Sequence, residues 1–599
     1  MAASTSINTG ALVTFTIKVN GSPIAGELRV FSVYTEKKVG HVPTAKIVIL
    51  DGEVNTGTFA ASSSATFVPG GDITIDAGYD SANQLIFRGI ITGQTIRIDA
   101  NIGSSLEVVC RDAAIKMTVG KKSRTFSKKK DSDIISSIIG NYPGLTADVT
   151  ATQTVWPEQV QYGVSDWDFI IAKAELNGLI VTALNGKVSA IKPDANTSPV
   201  VTAGYGENLF EFNAELNSIT QLGSVKASAW DYKSQAINSA EALNDYAGPG
   251  NLSSKKLAEV IGLSAYQLQT PAPLENADLT NWSKAELIKS GYSKIQGEAK
   301  FQGTSLVDPG KYITLNGLGD RFNGDHLISG VVHNISDGNW LTSVSIGLSP
   351  TWGQRDAEIM SPPAAGLLPG ARGLFNGTVK KMWADPDSQY RILVDVPVFD
   401  PNGDGIWARL SNFYSTSGAG AFFLPEVGDE VVLGFLNEDP RYPIILGSMY
   451  SSPIIKPFGE LGPNEKNSLK AIVSKSGIAV EFDDENKILS IKTPGNNTVV
   501  LNDKDKKITL QDSNGNSIMM SAAGITIKSD KDIKIEAGQH INLTGPQGIA
   551  IRSSVGDISL SGINIKETAD IQYSAQGGAT ATINSGMELT LKSAMININ

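Results

Sequence analysis

The stretch DPNGDG sets Asp400, Asn402, Asp404 and Gly405 at the spacing of the first ligands and the tight turn of an EF-hand-type calcium loop. The position that should carry the closing bidentate Glu is Ser411, so the cage lacks its strongest ligand. Asp, Asn, Pro and Gly also build ordinary turns between strands, and a turn is the expected reading. The four histidines are His41, His326, His333 and His540, and none belongs to an H-E-x-x-H pair. His326 and His333 differ in parity, so one continuous strand would send them to opposite faces. Cys110 is the single cysteine, which excludes an intrachain disulfide and a cysteine-built metal cage. KKSRTFSKKK, 121–130, is the one dense basic run. It reads first as a solvated loop and second as a docking face for an acidic subunit. No P-loop and no G-x-S-x-G elbow is present, so the chain is expected to be no enzyme, with no catalytic residue, metal or cofactor.

What must position these residues is a multidomain, mainly β chain. At 599 residues it exceeds what one hydrophobic core supports, which is roughly 250–300 residues. With 41% hydrophobic residues it can fill several cores. A net charge of −11, and aromatic content too sparse for a stacking platform, argue against nucleic acid as a partner. The N-terminus lacks a basic segment followed by an apolar one, and no run of about 18 apolar residues follows. The expectation is a chain made and assembled in the cytoplasm without a signal peptide and carried outward by other means.

Residues 1–105 alternate as strands, in ALVTFTIKV, TAKIVIL and LIFRGIITGQTIRID. An α+β insertion, 106–199, follows. In VSDWDFIIAKAELNG, Ser165 caps a helix with Asp168 three residues on; Trp167, Ile170, Ile171 and Ala174 share a face, and Gly178 ends it. A second strand-rich region, about 200–355, closes the N-terminal part. The Pro- and Gly-rich 356–372 reads as a linker, 373–452 as a small five-strand barrel, and 453–477 as a neck.

From 478 to 599 a short apolar group recurs, at Ile478/Val480/Phe482, Ile488/Ile491, Val499/Leu501, Ile508/Leu510 and Ile518/Met520. The spacing then becomes a strict octad at Ile525/Ile527, Ile533/Ile535, Ile541/Leu543 and Ile549/Ile551, and continues through Ile558/Leu560 towards Ile596/Ile598. Each repeat supplies one strand with two side chains on one face. Eight residues, turn included, lay down one face of a prism, whereas a single-chain β-helix needs about 20 or more per coil. Three chains sharing one axis solve this, each giving one face per layer, with ladders running between chains; the alternatives are a single-chain β-solenoid with irregular coils or a flat meander, which would leave its polar strands little to bury. About 15 layers at roughly 4.8 Å make a needle on the order of 70 Å long. His540 is out of phase with Ile541 and Leu543 and should face water, which argues against an axial metal.

The barrel region GAGAFFLPEVGDEVVLGFLNEDPRYPIILGSMY resembles the OB signature of the VgrG and phage gp5-type spike family. The matching positions are Trp407 and Arg409; Phe423, Pro425, Val427, Gly428, Glu430 and Val431; and Phe435, Asp439, Pro440, Pro443, Ile444 and Gly447. YGVSDWDFIIAKAELNGLIV and PGKYITLNGLGDRFNGDHLISGVVHNIS resemble the family's gp27-type hub. The resemblance implies a mainly β chain: a hub at 1–355 with two β-barrels, about 1–105 and 200–355, then an OB barrel and a trimeric triple-stranded β-helix. It implies a homotrimeric puncturing spike of a contractile injection system, a type VI secretion system, an extracellular phage-tail-like particle or a phage. Its partners would be the inner tube and baseplate hub subunits, the target cell envelope, and a PAAR-like tip protein docking on Ile596, Ile598 and Asn599, possibly with cargo. The expectation is a bare spike, with a neck too short for a lysozyme domain and no effector after the repeat. The alternatives are a β-helical polysaccharide-degrading enzyme, which needs longer loops than octads offer, and a trimeric receptor-binding tail fibre, which should lack the OB signature.

Overall fold

The computed structural model describes residues 3–4, 10–100, 103–231, 234–353, 363–451, 456–458 and 465–598. Two compact units divide the chain, Met1–Met449 and Tyr450–Asn599. Residues 356–362 of the sequence-derived linker and 453–455 and 459–464 of the neck lie outside the described residues.

Alternation of apolar and polar residues builds the first unit strand by strand. In Thr44–Leu50, Ala45, Ile47 and Ile49 are fully buried while their neighbours face outward. Arg29–Lys38, Thr44–Leu50, Gly103–Arg111, Gln84–Asp99, Asp72–Tyr79 and Val13–Val19 follow one another in antiparallel order around a core of Ile47, Ile75, Phe87, Leu106 and Val108. A second core, with Val201, Phe301, Ile313, Val331 and Val344, belongs to strands from 201 to 346.

The two regions, each around its own core, belong to one 14-stranded sheet. Arg29–Lys38 pairs with Gly324–Ser336, from Gly330 opposite Lys38 to Ser336 opposite Ser32. Gly324–Ser336 is long enough to serve both cores because it bends at a bulge between Ile328 and Gly330. The same bulge overturns the parity argument for the histidines. One unpaired residue shifts the alternation, so His326 and His333 are both buried, each in its own surroundings.

The insertion begins later than 106, because Leu106 to Arg111 complete a strand of the large sheet. Its helices are Asp131–Gly140 and Asp166–Leu176, packed on a three-stranded sheet. Ser165 caps the second helix, its Oγ accepting from the Asp168 N–H at 3.1 Å. Trp167, Ile170 and Ala174 enter the core with Ile171 packed against them. Gly178 takes φ +66°, and a Cβ there would meet Ile288 Cδ1 at 2.7 Å. A longer helix, Asn276–Tyr292, covers the small sheet of Ser224–Asp231, Ala236–Leu243 and Tyr266–Thr270. Among the described residues no helix is long and apolar enough to cross a membrane.

Phe375–Lys381, Ile392–Asp395, Ile406–Leu410, Pro443–Ser448 and Glu430–Phe435 close into a five-stranded barrel around Val379, Ile392, Val394, Ala408, Val431, Leu433 and Ile445. In the second unit, seven strands from Leu469 to Lys528 form an antiparallel meander. From Ser529 to Ile598 the chain forms no strand pairing with itself among the described residues.

Candidate trimerisation surface

The meander's register decides which side chains share a face. Ile472 lies opposite Val480, Val480 opposite Ile491, Ile491 opposite Val499, Val499 opposite Leu510, Leu510 opposite Ile518, and Ile518 opposite Ile527. A second column joins Phe482, Leu489, Leu501, Ile508, Met520 and Ile525. Side chains two apart on a strand point the same way, so the two columns make one apolar face seven strands wide. The column between them, on the reverse face, runs Glu481, Ser490, Val500, Thr509, Met519 and Thr526. Among the described residues nothing covers the apolar face: Ile508, Leu510, Ile518, Met520, Ile525 and Ile527 keep 37–70% of their surface exposed.

Three sequence expectations change here. Ladders up to Lys528 form within one chain rather than between chains. The sheet starts at Leu469, inside the expected neck, so Ile472 joins the face. The third strand contributes Leu489 with Ile491, and Ile488 falls on the other side. Of the expected needle residues, Ile525 and Ile527 lie on this face. Ile533, Ile535, Ile541, Leu543, Ile549, Ile551, Ile558 and Leu560 all stand exposed on chain without ladder partners. Ile596 and Ile598 are likewise exposed, and Asn599 lies outside the described residues.

The OB-signature residues fall on the barrel strands and on the turns that join them. Val431 is fully buried in its core. Phe435 meets Phe375 edge to face at 5.4 Å. Gly428 turns the chain at φ +96° and donates its N–H to Val379 O. Glu430 accepts from Asn376 Nδ2 at 2.9 Å. Asp439 opens the turn through Pro440 that leads to Pro443; its carboxylate takes both the Arg441 backbone N–H and the guanidinium, and the latter holds its pKa below the ordinary value. Arg409 pairs in parallel with Ile444, Trp407 sits opposite Leu393, and Gly447 opposite Val432. Pro425 is buried, whereas Phe423 and Val427 remain exposed.

The other sequence motifs resolve into structure. Asp400 caps its own turn, Oδ1 accepting from the Asn402 N–H at 3.0 Å. The basic run is a strand, Lys122–Lys130, rather than a loop. Lys122 Nζ donates to Asp166 Oδ2 at 2.7 Å, Arg124 pairs with Oδ1, and Gln161 and Tyr142 add two further donors. Burial alone would raise the Asp166 pKa, but these partners outweigh it and leave it lowered. His326 Nε2 lies 2.7 Å from Phe322 O, and His333 Nδ1 2.9 Å from Thr342 Oγ1; among the described residues no cluster of metal-ligating side chains forms.

Three family models match the chain. The family model described as the Alg8 N-terminal domain matches residues 9–337, more than half the chain. The type VI secretion system/phage-baseplate injector OB domain matches 375–450, and the phage baseplate V C-terminal trimerisation domain matches 488–599. The spike protein VgrG1a of the Pseudomonas aeruginosa type VI secretion system is 25% identical over 134 residues, 22% of this chain. That stretch is 20% of the relative, so the match spans about a fifth of the curated protein's length. A 43 kDa tail protein of prophage MuSo2 from Shewanella oneidensis aligns over 56% of this chain and 98% of its own, at 11% identity and TM-score 0.44. A type VI secretion component of E. coli, described as similar to phage T4 gp27 and gp5, aligns over 72% of this chain and 99% of its own, at 14% identity and TM-score 0.38. The chain belongs to the family defined by the Alg8 N-terminal domain, and it also carries an injector OB domain and a baseplate C-terminal trimerisation domain, with local sequence similarity to a type VI spike protein.

Proposed function

We propose that the chain works as a homotrimer whose role is mechanical rather than catalytic. The uncovered apolar face of the Leu469–Lys528 sheet carries this reading. Its side chains are about half exposed, so covering each contributes about 1 kcal/mol, on the order of 10 kcal/mol per chain over the whole face. Three such faces close a prism in which every sheet buries one side. Beyond Ser529 the octads carry the same two-residue apolar stripe without intrachain partners, and there the ladders would run between chains. The result is a stiff β-helical needle suited to transmit force into a target envelope. The N-terminal hub would cap the inner tube within a baseplate, and the OB barrel would brace the junction. The terminal Ile596 and Ile598 would present an apolar end for a PAAR-like tip protein.

Light scattering on the full-length protein tests the assembly. The expected mass is three times 63.4 kDa, about 190 kDa. A monodisperse single-chain mass at micromolar concentration would sink the reading.

A further inference from the structure

One segment of the OB barrel is not used by the barrel's own fold. Between Ile406–Leu410 and Glu430–Phe435 the chain leaves as a short hairpin, Ser415–Thr416 paired with Ala419–Gly420. Ala421 N donates to Tyr414 O at 2.9 Å and extends its base. Phe413 and Phe422 flank this base with 89% and 73% of their surface exposed. No charged residue occurs from Ser411 to Pro425, although the chain as a whole carries −11. An exposed, aromatic, uncharged projection has the composition of the centre of an interface.

The same barrel also holds a shallow slot. Pairing of Glu430–Phe435 with Pro443–Ser448 shifts register between Val432 and Leu433, which makes Leu446 the extra residue and turns it outward, 52% exposed. Leu374, 67% exposed, stands near it. Both side chains reach over Gly434, where a Cβ would lie 3.7 Å from Leu446 Cδ1 and 3.8 Å from Leu374 Cδ2. The slot thus has two leucine walls and a glycine floor.

We propose that the hairpin of one copy seats Phe413 and Phe422 in the Leu374–Gly434–Leu446 slot of the next copy's barrel, closing a ring of three barrels. The proposal rests on the trimer reading, and that reading names the occupant. The twenty residues Met449–Ser468 tether each barrel to its own meander, a reach of at most about 70 Å. Three barrels so tethered meet at effective concentrations on the order of mM. Hairpin and slot are different surfaces, so the contact is heterologous, and a threefold rotation closes it.

Cysteine pairs in the full-length chain test the ring, since the single native cysteine, Cys110, is buried. Phe422→Cys combined with Leu446→Cys, treated with a short bis-maleimide, should give chain-linked dimers and trimers on denaturing gels, with each single variant giving monomers. Adding Gly434→Lys should keep the trimeric mass, because Gly434 has no left-handed backbone and its wall contacts are ordinary, while interchain product falls roughly tenfold. A protein of trimeric mass that gives no interchain product overturns the ring and leaves the trimer standing. A single-chain mass overturns both.

Discussion

His326 and His333 are both buried in the large sheet, and burial there disfavours their charged forms. Burial pushes the His326 pKa down to about 4, with the Phe322 carbonyl opposing the shift and Lys294 adding to it. Burial takes His333 to about 3, with Lys37 contributing in the same direction. Both folded values lie below the ordinary 6.5, so the unfolded chain takes up protons that the folded chain refuses. Stability is therefore fully present above about pH 6.5 and falls as pH drops towards the folded values, by about 1.4 kcal/mol per pH unit for each histidine. Between about pH 6 and 5 the carboxylates held low by partners, such as Asp166, remain ionised in both states. Urea midpoints over that window should fall with the slope of two histidines, and His326→Gln should roughly halve it. An unchanged slope in the variant would show that other groups govern the acid response. A second residue-scale expectation concerns Asp166, which compensates Lys122 and Arg124 from a fully buried position. Asp166→Asn should cost about 2–4 kcal/mol, read as a lower urea midpoint at neutral pH. The capping role of Ser165 is local and legible in the sequence. The Asp166 cluster draws Lys122, Arg124 and Tyr142 from 24 to 44 positions away, and no spacing rule announces it.

At the scale of elements, the C-terminal repeat region contains two arrangements of one motif. Strands from Ala479 to Ser521 are separated by four or five residues, as in Asp484–Lys487 and Asp512–Asn516, and those residues reverse the chain into hairpins. The last hairpin, into Gly524–Lys528, turns in only two residues, and from Ser529 onward, where the repeat keeps a strict eight, self-pairing stops among the described residues. The change of period is visible in the sequence, but its meaning is not, because a strand's alternation is the same whether its neighbour belongs to its own chain or to another. The bulges have the same character. At Ser329 and Leu446 an unpaired residue reverses the alternation, and the sequence pattern gives no sign of it. The meander's two faces make opposite predictions. Leu501→Asp or Ile508→Asp places a charge on the apolar face and should convert the trimer to monomers by light scattering while circular dichroism keeps its strand signal. Thr509→Asp, on the reverse face, should leave the mass unchanged. Equal behaviour of the three variants would mean that the apolar face is not the contact.

For the whole molecule, the contest is between charge and apolar area. Each chain carries −11, so three chains bring 3 × −11 = −33 into one particle, and assembly works against that repulsion. Ion pairs within the meander, such as Lys470 with Asp484 and Lys492 with Glu481, are made inside one chain and exposed, so they do little to join copies. The faces that remain to be joined are the apolar columns and the charge-free hairpin. Assembly driven by such surfaces responds to salt in the opposite sense to assembly driven by ion pairs. Raising sodium chloride from about 0.05 to 0.5 M shortens the screening length from roughly 14 to 4 Å, which weakens the repulsion and leaves apolar burial intact. The urea concentration that dissociates the trimer, measured at fixed chain concentration because dissociation follows mass action, should therefore rise or hold as salt increases. A steep fall with salt would instead place interchain ion pairs at the joints and displace the apolar face as the driving contact.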